Sequence, residues 1–435
     1  MKRKFASDHS VRGLAVEILT RVQQENAYSN LLLNQVLQAE HLSVRDQALL
    51  TQIVYGSLQH RLTLEYWLAP FIKQKKTLPW VYELLLAAIF QLQYLDRVPA
   101  RAILDESIKI AKRNGHDGIR KFVTGVLHAI LRQDLPDPTK IKDPLQRLSV
   151  CYSLPEWLLQ QLLNENGQDK TVAILQTINQ PPHQAVRVNQ SQLTTAAAKE
   201  QLEADGFTCD FSPLSPVSLI IKHGFASQSK LFKSGALVFQ DESAAQVVDG
   251  MQVQPTDHVL DACAAPGGKT LQIADQLTSG VVTALDIHQH KVKLIEENAA
   301  RCGFSAKVAA ICLDARQAAA KFPPASFDKI LVDAPCSGIG LVRRKPEIRY
   351  RKTATEIRNL QQLQLELLAS MVPLVKTGGR LTYSTCTILQ SENDQVIAAF
   401  LQQHSEFKLL SKKTILPDEF DSDGFFMASL EKMQD

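Results

Sequence analysis

The chain has 435 residues, 45% of them hydrophobic and 21% charged, with a formal net charge of +3. At roughly 150 residues per domain that length calls for two or three domains, and the composition excludes disorder, collagen and coiled coil. The charge is uneven: residues 1–133 hold 18 Lys and Arg against 11 Asp and Glu, which permits a polyanionic partner.

The amino terminus, Met1 to Asp8, is basic and then polar, without the apolar segment of a secretory signal. From Val11 to Arg132 the apolar residues recur at helical spacing, as in Leu14, Ala15, Ile18, Leu19 and Val22, so this part is expected to be all-helical. Ser43 with Asp46 predicts a cap for the third helix, and Ser29 or Asn30 a cap for the second. Trp80 to Tyr94 is apolar nearly all round and reads as the central helix of a bundle. Its longest unbroken apolar run, Leu84 to Phe90, is far short of the roughly 18 residues of a membrane span, so a cytoplasmic protein with no membrane partner is expected.

Prolines 136, 138 and 144 predict a linker. A small mixed α and β module should follow from Leu145 to Phe232, with helices near Trp157–Leu163 and Thr171–Ile178, strands at Ala185–Asn189 and Ser218–Ile221, and a helix at Thr195–Ala204. From Lys233 onward short apolar runs alternate with helices: 258–263, 281–287, 308–313, 329–332 and 380–383. That alternation predicts a mostly parallel sheet, whose ligand binds at the carboxyl ends of the strands.

The loops after those strands carry the chemistry. The first strand ends in Asp261-Ala-Cys-Ala-Ala-Pro-Gly-Gly-Lys-Thr270, a turn of small residues that lets backbone amides approach a ligand. It is no Walker loop, because Cys263 stands where Gly is required, and Gly-x-Gly-x-x-Gly is absent. The next strands are expected to end at Asp286, Asp314 and Asp333, an acidic edge suited to a nucleoside with its hydroxyls and amine. Seven scattered cysteines without a CxxC pair argue against disulfides and structural zinc, and no metal is expected. Two of them, Cys336 in Asp333-Ala-Pro-Cys-Ser-Gly338 and Cys386 in Ser384-Thr-Cys-Thr387, fall at loop tips on that edge, where an accessible thiolate can act as a nucleophile. Cytosine carbon 5 attacks an electrophilic methyl only after a thiolate has added to carbon 6, and one cysteine for addition with another group for release suits that reaction. The residues alone do not say which cysteine adds.

These motifs, together with Phe239-Gln-Asp-Glu-Ser243, Arg343 to Ile348 and Asp423-Gly-Phe-Phe-Met427, resemble those of the Sun family of RNA cytosine-5 methyltransferases, which use S-adenosylmethionine. The first domain resembles the NusB RNA-binding fold, and the domain order is that of the bacterial enzymes acting on 16S ribosomal RNA. The resemblance implies a NusB-like helical domain over 1–134, a ferredoxin- or RRM-like module over 145–232 and a Rossmann-like methyltransferase domain over 233–435. It implies that Cys263, Ala264, Ala265, Pro266, Gly267, Gly268 and Lys269 wrap the cofactor, that Asp286 holds its ribose and Asp314 its adenine amine, and that Asp333 lies between cofactor and base. It assigns the nucleophile to Cys386 and product release to Cys336. Ser384 and Thr387 depart from the Ala and Ser frequent at those positions.

The basic run Arg343, Arg344, Lys345, Arg349, Arg351 and Lys352 is expected to form a phosphate-binding groove. The expected partner is 16S ribosomal RNA, free or in a partly assembled subunit, with the enzyme a monomer. Two other readings compete. An RNA-binding factor with a relic sheet domain would have little reason to keep both cysteines, and a methyltransferase of exocyclic nitrogen would need a second proline and an aromatic after Asp333.

Overall fold

A computed structural model describes residues 9–73 and 76–434, so the amino-terminal stretch read as unlike a signal lies outside the described residues. The apolar spacing from Val11 onward resolves into helices Val11–Gln24, Ser29–Ala39, Val44–Gln59, Arg61–Leu68, Pro79–Tyr94, Ala100–Asn114 and Asp117–Arg132. Pro79–Tyr94 is buried without a break from Trp80 to Gln91, as a helix apolar on every side must be. Ser43 caps the third helix by accepting from the Asp46 amide.

The second helix is capped from afar. Tyr28 stands at its N-cap without a side-chain bond. The carboxylate of Glu347 instead accepts from the Ser29 amide at 2.9 Å and from the Ser29 hydroxyl at 2.8 Å. Residues 342–351 belong to the same compact unit as the chain up to Asn179. There Arg351 donates to the carbonyls of Val22, Asn26 and Ala27 at the carboxyl end of the first helix, where a cation is favoured. Arg349, fully buried, donates to Asn179 Oδ1 at 2.8 Å and to the Ile178 carbonyl at 3.2 Å.

These contacts correct the reading of the basic run as a groove. Arg343 is only 1% exposed and Arg349 0%, so neither guanidinium can meet a phosphate in solvent. The sequence shows six cations and hides that helix carbonyls take up two of them. Glu347→Ala should lower the stability of this unit by about 1–3 kcal/mol, the cost of stranding buried donors. Urea unfolding followed by the fluorescence of Trp67 and Trp80 checks it.

The prolines do not end this unit. Pro144 opens helix Pro144–Tyr152, capped by Asp143, and helix Glu156–Thr177 follows with a kink at Gly167. Thr63 donates to the Val150 carbonyl, and the Leu62 amide to the Ser153 hydroxyl. Residues 145–179 therefore pack with the helices before them, and the second compact unit comprises 180–341 and 352–435. Pro136 and Pro138 lie in the stretch between the helices that end at Arg132 and begin at Pro144, while Pro144 takes the first position of a helix, where proline starts it rather than breaking it.

The second unit contains two sheets. The smaller is antiparallel in the order β2 (Thr208–Phe211), β3 (Ser218–His223), β1 (Gln184–Val188), β4 (Leu237–Phe239). β4 pairs Phe239 with Val186, so this sheet reaches past residue 232. The Phe239-Gln-Asp-Glu-Ser243 motif follows at once and proves to be an anchor. Gln240 accepts from the buried Arg187 and donates to Gln272, Asp241 caps helix Glu242–Met251, and buried Glu242 lies 2.9 Å from His183.

The larger sheet has seven strands. β5 (His258–Asp261), β6 (Val281–Asp286), β7 (Val308–Cys312), β8 (Phe327–Asp333) and β9 (Val375–Thr385) run parallel, while β10 (Phe407–Ile415) and β11 (Phe425–Lys432) add antiparallel pairs beside β9. The order is β10-β11-β9-β8-β5-β6-β7. Alternate residues supply opposite cores: Leu260, Ile330, Val332 and Leu381 join one cluster, Val259, Val282 and Leu331 the other. With both faces buried, a parallel sheet offers ligands only the carboxyl ends of its strands.

Candidate active site

β5 enters the small-residue loop through Ala262, whose amide bonds the Leu331 carbonyl of β8, and Ala264, whose amide bonds Leu285 of β6. These two bonds seat the loop across three strand ends. It closes at Gly267, φ 102°, a left-handed conformation that glycine adopts without strain. Helix Gly268–Gln276 starts there, with its free amides on the strand-end side.

Four carboxylates surround this loop. Burial drives the Cys263 thiol above its ordinary range, and Asp261, Asp333, Asp286 and Asp314 each push it further. Cys263 is thus the centre of an acidic ring and unsuited to ionise. The four acids differ in what they hold. Asp261, 1% exposed, accepts from Thr270 at 2.7 Å and is raised by burial to about 7. It braces the loop rather than facing a ligand. Asp286, at the end of β6, accepts from the His288 amide at 2.9 Å. β7 ends at Cys312, two residues before Asp314. Asp314 caps the following turn, and a pair with Arg316, 2.7 Å at its shortest, holds its carboxyl below the usual range.

Asp333 joins the cofactor loop to the cysteines. One oxygen accepts from Lys269 Nζ at 2.8 Å, the other from the Ser384 hydroxyl at 2.7 Å. Ser384 thus turns a departure from the resembled pattern into a second bond on Asp333. Lys269 Nζ also lies 4.6 Å from the centre of the Phe425 ring. Its charge is spent on Asp333, so Lys269 orients that carboxylate and leaves the ring of acids net negative. A ring of that kind suits a ligand carrying a sulfonium cation, a ribose diol and an amine, and the loop residues present fit S-adenosylmethionine.

Asp333 leads into the first cysteine loop and Ser384 into the second. The two Sγ atoms, of Cys336 and Cys386, lie 3.2 Å apart. The hydrogen bond with Cys386, burial and the nearby Glu392 together keep Cys336 well above an ordinary thiol. The second loop is closed by a backbone crossing: the Gly340 amide bonds the Cys386 carbonyl at 3.0 Å, and the Gly424 amide bonds the Gly340 carbonyl at 2.9 Å. This explains the glycine of Asp423-Gly-Phe-Phe-Met427. A Cβ on Gly340 would sit 2.0 Å from the Gly424 oxygen.

The structure therefore gathers Cys263 to Lys269, Asp286, Asp314, Asp333, Cys336 and Cys386 at one sheet edge. Sequence reading missed Gln364, Glu392 and Asn393. Glu392 accepts from the Ser337 amide at 2.8 Å and from Gln364 at 3.1 Å. The only available signal was an acid and an amide six and seven residues after Cys386.

Comparison with known proteins places the chain in a family. The family described as 16S rRNA methyltransferase RsmB/F matches residues 249–431, the NusB family matches 9–132, and an RsmF/B-like, ferredoxin-like domain matches 154–228. The probable ribosomal RNA small subunit methyltransferase B of Bacillus subtilis is 42% identical over 97% of this chain and 99% of its own length. The ribosomal RNA small subunit methyltransferase B of an Enterobacter strain is 33% identical over 97% and 99%. The crystal structure of the protein PH0851 is 27% identical and superposes with a TM-score of 0.85 over 99% of this chain and all of its own. A methyltransferase homologue from Pyrococcus horikoshii, 23% identical, shares the fold over 67% of this chain and all of its own with a TM-score of 0.61. Full-length identity at that level, on top of the acid-ringed loop and its neighbouring cysteines, means that this chain belongs to the RsmB/F family of S-adenosylmethionine-dependent ribosomal RNA methyltransferases.

Proposed function

We propose that the enzyme methylates carbon 5 of a cytosine in 16S ribosomal RNA, with Cys386 adding to carbon 6 and Cys336 assisting release. The observation that carries this reading is the 3.2 Å approach of the two sulfurs beside Asp333. Two thiols that close share one proton more readily than they lose two. Cys336, held well above an ordinary thiol, is assigned the proton, and Cys386, the cysteine that the family resemblance names, the part of nucleophile.

The thiolate of Cys386 forms a bond to carbon 6, and the displaced electron pair makes carbon 5 nucleophilic. S-adenosylmethionine, when bound, supplies the electrophilic methyl on its sulfonium. Cys263 to Lys269 would wrap it, Asp286 would accept from its ribose and Asp314 from its adenine amine. Asp333, fixed by Lys269 and Ser384, would hold the amino group of the target base. In release, water takes the carbon 5 proton, the C–H electrons re-form the 5,6 double bond, and the C–S bond breaks. Cys336 hands its proton to the departing sulfur, so the pair ends with one proton, as it began.

A target base must leave its stack to reach these thiols, which favours an unpaired site in the RNA. Residues 1–134, 145–232 and 233–435 would act as RNA-selecting, presenting and catalytic modules, in the order in which the three family matches fall. With Arg343 buried, phosphate contact would fall to the half-buried Arg344 and Lys345. The chain is read as an intracellular monomer, and among the described residues no helix is long and apolar enough to cross a membrane.

The reading is tested by incubating the enzyme with protein-free 16S RNA and methyl-labelled S-adenosylmethionine, then digesting to nucleosides. Label in 5-methylcytidine supports it; label in an N-methylated nucleoside removes it. Asp286→Ala should weaken cofactor binding by about 1–3 kcal/mol, the scale of a charge-assisted hydrogen bond. Unchanged affinity by calorimetry would place the ribose elsewhere.

A further inference from the structure

Two consecutive residues, neither of them in the motifs that mark the family resemblance, tie the neighbours of the two cysteines, Asn393 directly on both sides of Cys386 and Glu392 on one side of Cys336 directly and on the other through Gln364. Around Cys336, Glu392 Oε1 accepts from the Ser337 amide at 2.8 Å and from Gln364 Nε2 at 3.1 Å, while the same Gln364 nitrogen donates to the Pro335 carbonyl at 2.9 Å. The residues before and after Cys336 are thereby tied through one carboxylate and one amide. Around Cys386, Asn393 Oδ1 accepts from the Thr385 hydroxyl at 2.6 Å, and its Nδ2 donates to the Thr387 carbonyl at 2.9 Å. A bond of 2.9 Å between the Ser337 and Thr387 hydroxyls joins the two clamps.

Glu392, Asn393, Gln364, Ser337, Thr385 and Thr387 are each no more than 2% exposed. Burying a carboxylate against neutral donors costs several kcal/mol relative to an apolar residue of the same size, so stability does not explain Glu392. What the arrangement does supply is a fixed place for each sulfur, set from the backbone on both sides. Short turn Gln390–Glu392 and helix Asp394–Gln403 put the two side chains next to each other in sequence while they act on loops 50 residues apart.

We propose that Glu392 and Asn393 are positioning residues with separate duties, Glu392 setting Cys336 for release of the product and Asn393 setting Cys386 for addition to the base. This rests on the carbon 5 reading above. Neither residue enters the bond changes; each acts through the loop it holds. Displacing one loop therefore slows one step and leaves the other, a separation that general loosening of the site would not give.

The test is single-turnover methylation of protein-free 16S RNA, with covalent protein-RNA adduct read on denaturing gels and methylated RNA counted separately. Glu392→Ala should form adduct near the wild-type rate and release it about 10- to 100-fold more slowly, the penalty of a group displaced by up to about 1 Å. Glu392→Gln, which keeps an oxygen for the Ser337 amide, should recover most of the release rate. Asn393→Ala should slow adduct formation by a similar factor and accumulate none. Gln364→Leu, which frees Pro335, should repeat the Glu392→Ala result and serves if that variant fails to fold. Equal slowing of both steps in the Glu392 and Asn393 variants, or no change in either, overturns the clamp, provided that Cys336→Ser still traps an adduct. If Cys336→Ser and Glu392→Ala both yield none while methylation proceeds, the carbon 5 reading has failed and the clamp falls with it.

Discussion

Cys386→Ala is expected to abolish methyl transfer, a fall on the order of 10⁶-fold, as when the nucleophile of a concerted catalytic unit is removed. Cytosine carbon 5 gains its nucleophilicity only from addition at carbon 6, so without the thiolate there is no partial reaction to fall back on. Cofactor affinity should stay within about twofold, because the contacts that hold the cofactor loop run through Ala262, Ala264 and Asp333 rather than Cys386. Cys336 does not substitute: its neighbours are tied to Gln364 and Glu392, and with the Cys386 sulfur, the largest cause of its shift, gone, burial and that same carboxylate still push its thiol upward. Steady-state turnover with labelled cofactor checks the first claim and calorimetry the second. Turnover retained at even a hundredth of the wild-type rate would hand addition to Cys336.

Gly340→Ala should also lower turnover, though by far less, for a reason that involves no chemistry. The added methyl would lie 2.0 Å from the carbonyl oxygen of Gly424 and 2.9 Å from that of Cys386, both backbone atoms that no side-chain rotation can clear. Either β11 retreats at its start or the Cys386 loop does. A shift of about 1 Å at the nucleophile costs roughly 100-fold in rate, and forced repacking about 1–3 kcal/mol in stability. Turnover together with thermal unfolding separates the two: a rate loss well beyond the stability loss locates the effect at Cys386. Gly424→Ala, whose Cβ would meet the movable Ile388 side chain at 2.4 Å and the Gly340 Cα at 3.0 Å, should follow the same direction.

Much of the catalytic end was legible because its motifs sit where strand periodicity stops. The apolar runs located β5, β6, β8 and β9, and the residues at their ends are the acids and cysteines of the site. What escaped has physical reasons. β10 reads as exposed and polar along most of its length, so no apolar run marks it. β4 is three residues long and lies on the far side of the proposed boundary at Phe232, where it completes the smaller sheet. The helices after Arg132 were expected in the next module, since Pro136, Pro138 and Pro144 look alike in sequence while Pro144 initiates a helix. The basic run misled most. Composition counts its charges, but Glu347 bonding Ser29 and Arg351 bonding Val22 are pairings across more than 300 residues, which no local pattern records. Glu392 was hidden in a similar way, its partners being the Ser337 amide and the Gln364 side chain, while Asn393 binds Thr385 and Thr387 close by in the chain, partly through a backbone carbonyl that leaves no mark in a sequence.

The central claim is that two cysteines divide addition and release on a cytosine ring. It is tested most directly by isolating Cys336→Ser from cells and looking on a denaturing gel for protein-bound RNA, then sequencing that RNA. The account predicts a stable adduct carrying a 16S segment, absent from the variant that combines Cys336→Ser with Cys386→Ala. An adduct that persists in the double variant, or none in Cys336→Ser while its methylated RNA still accumulates, would contradict it.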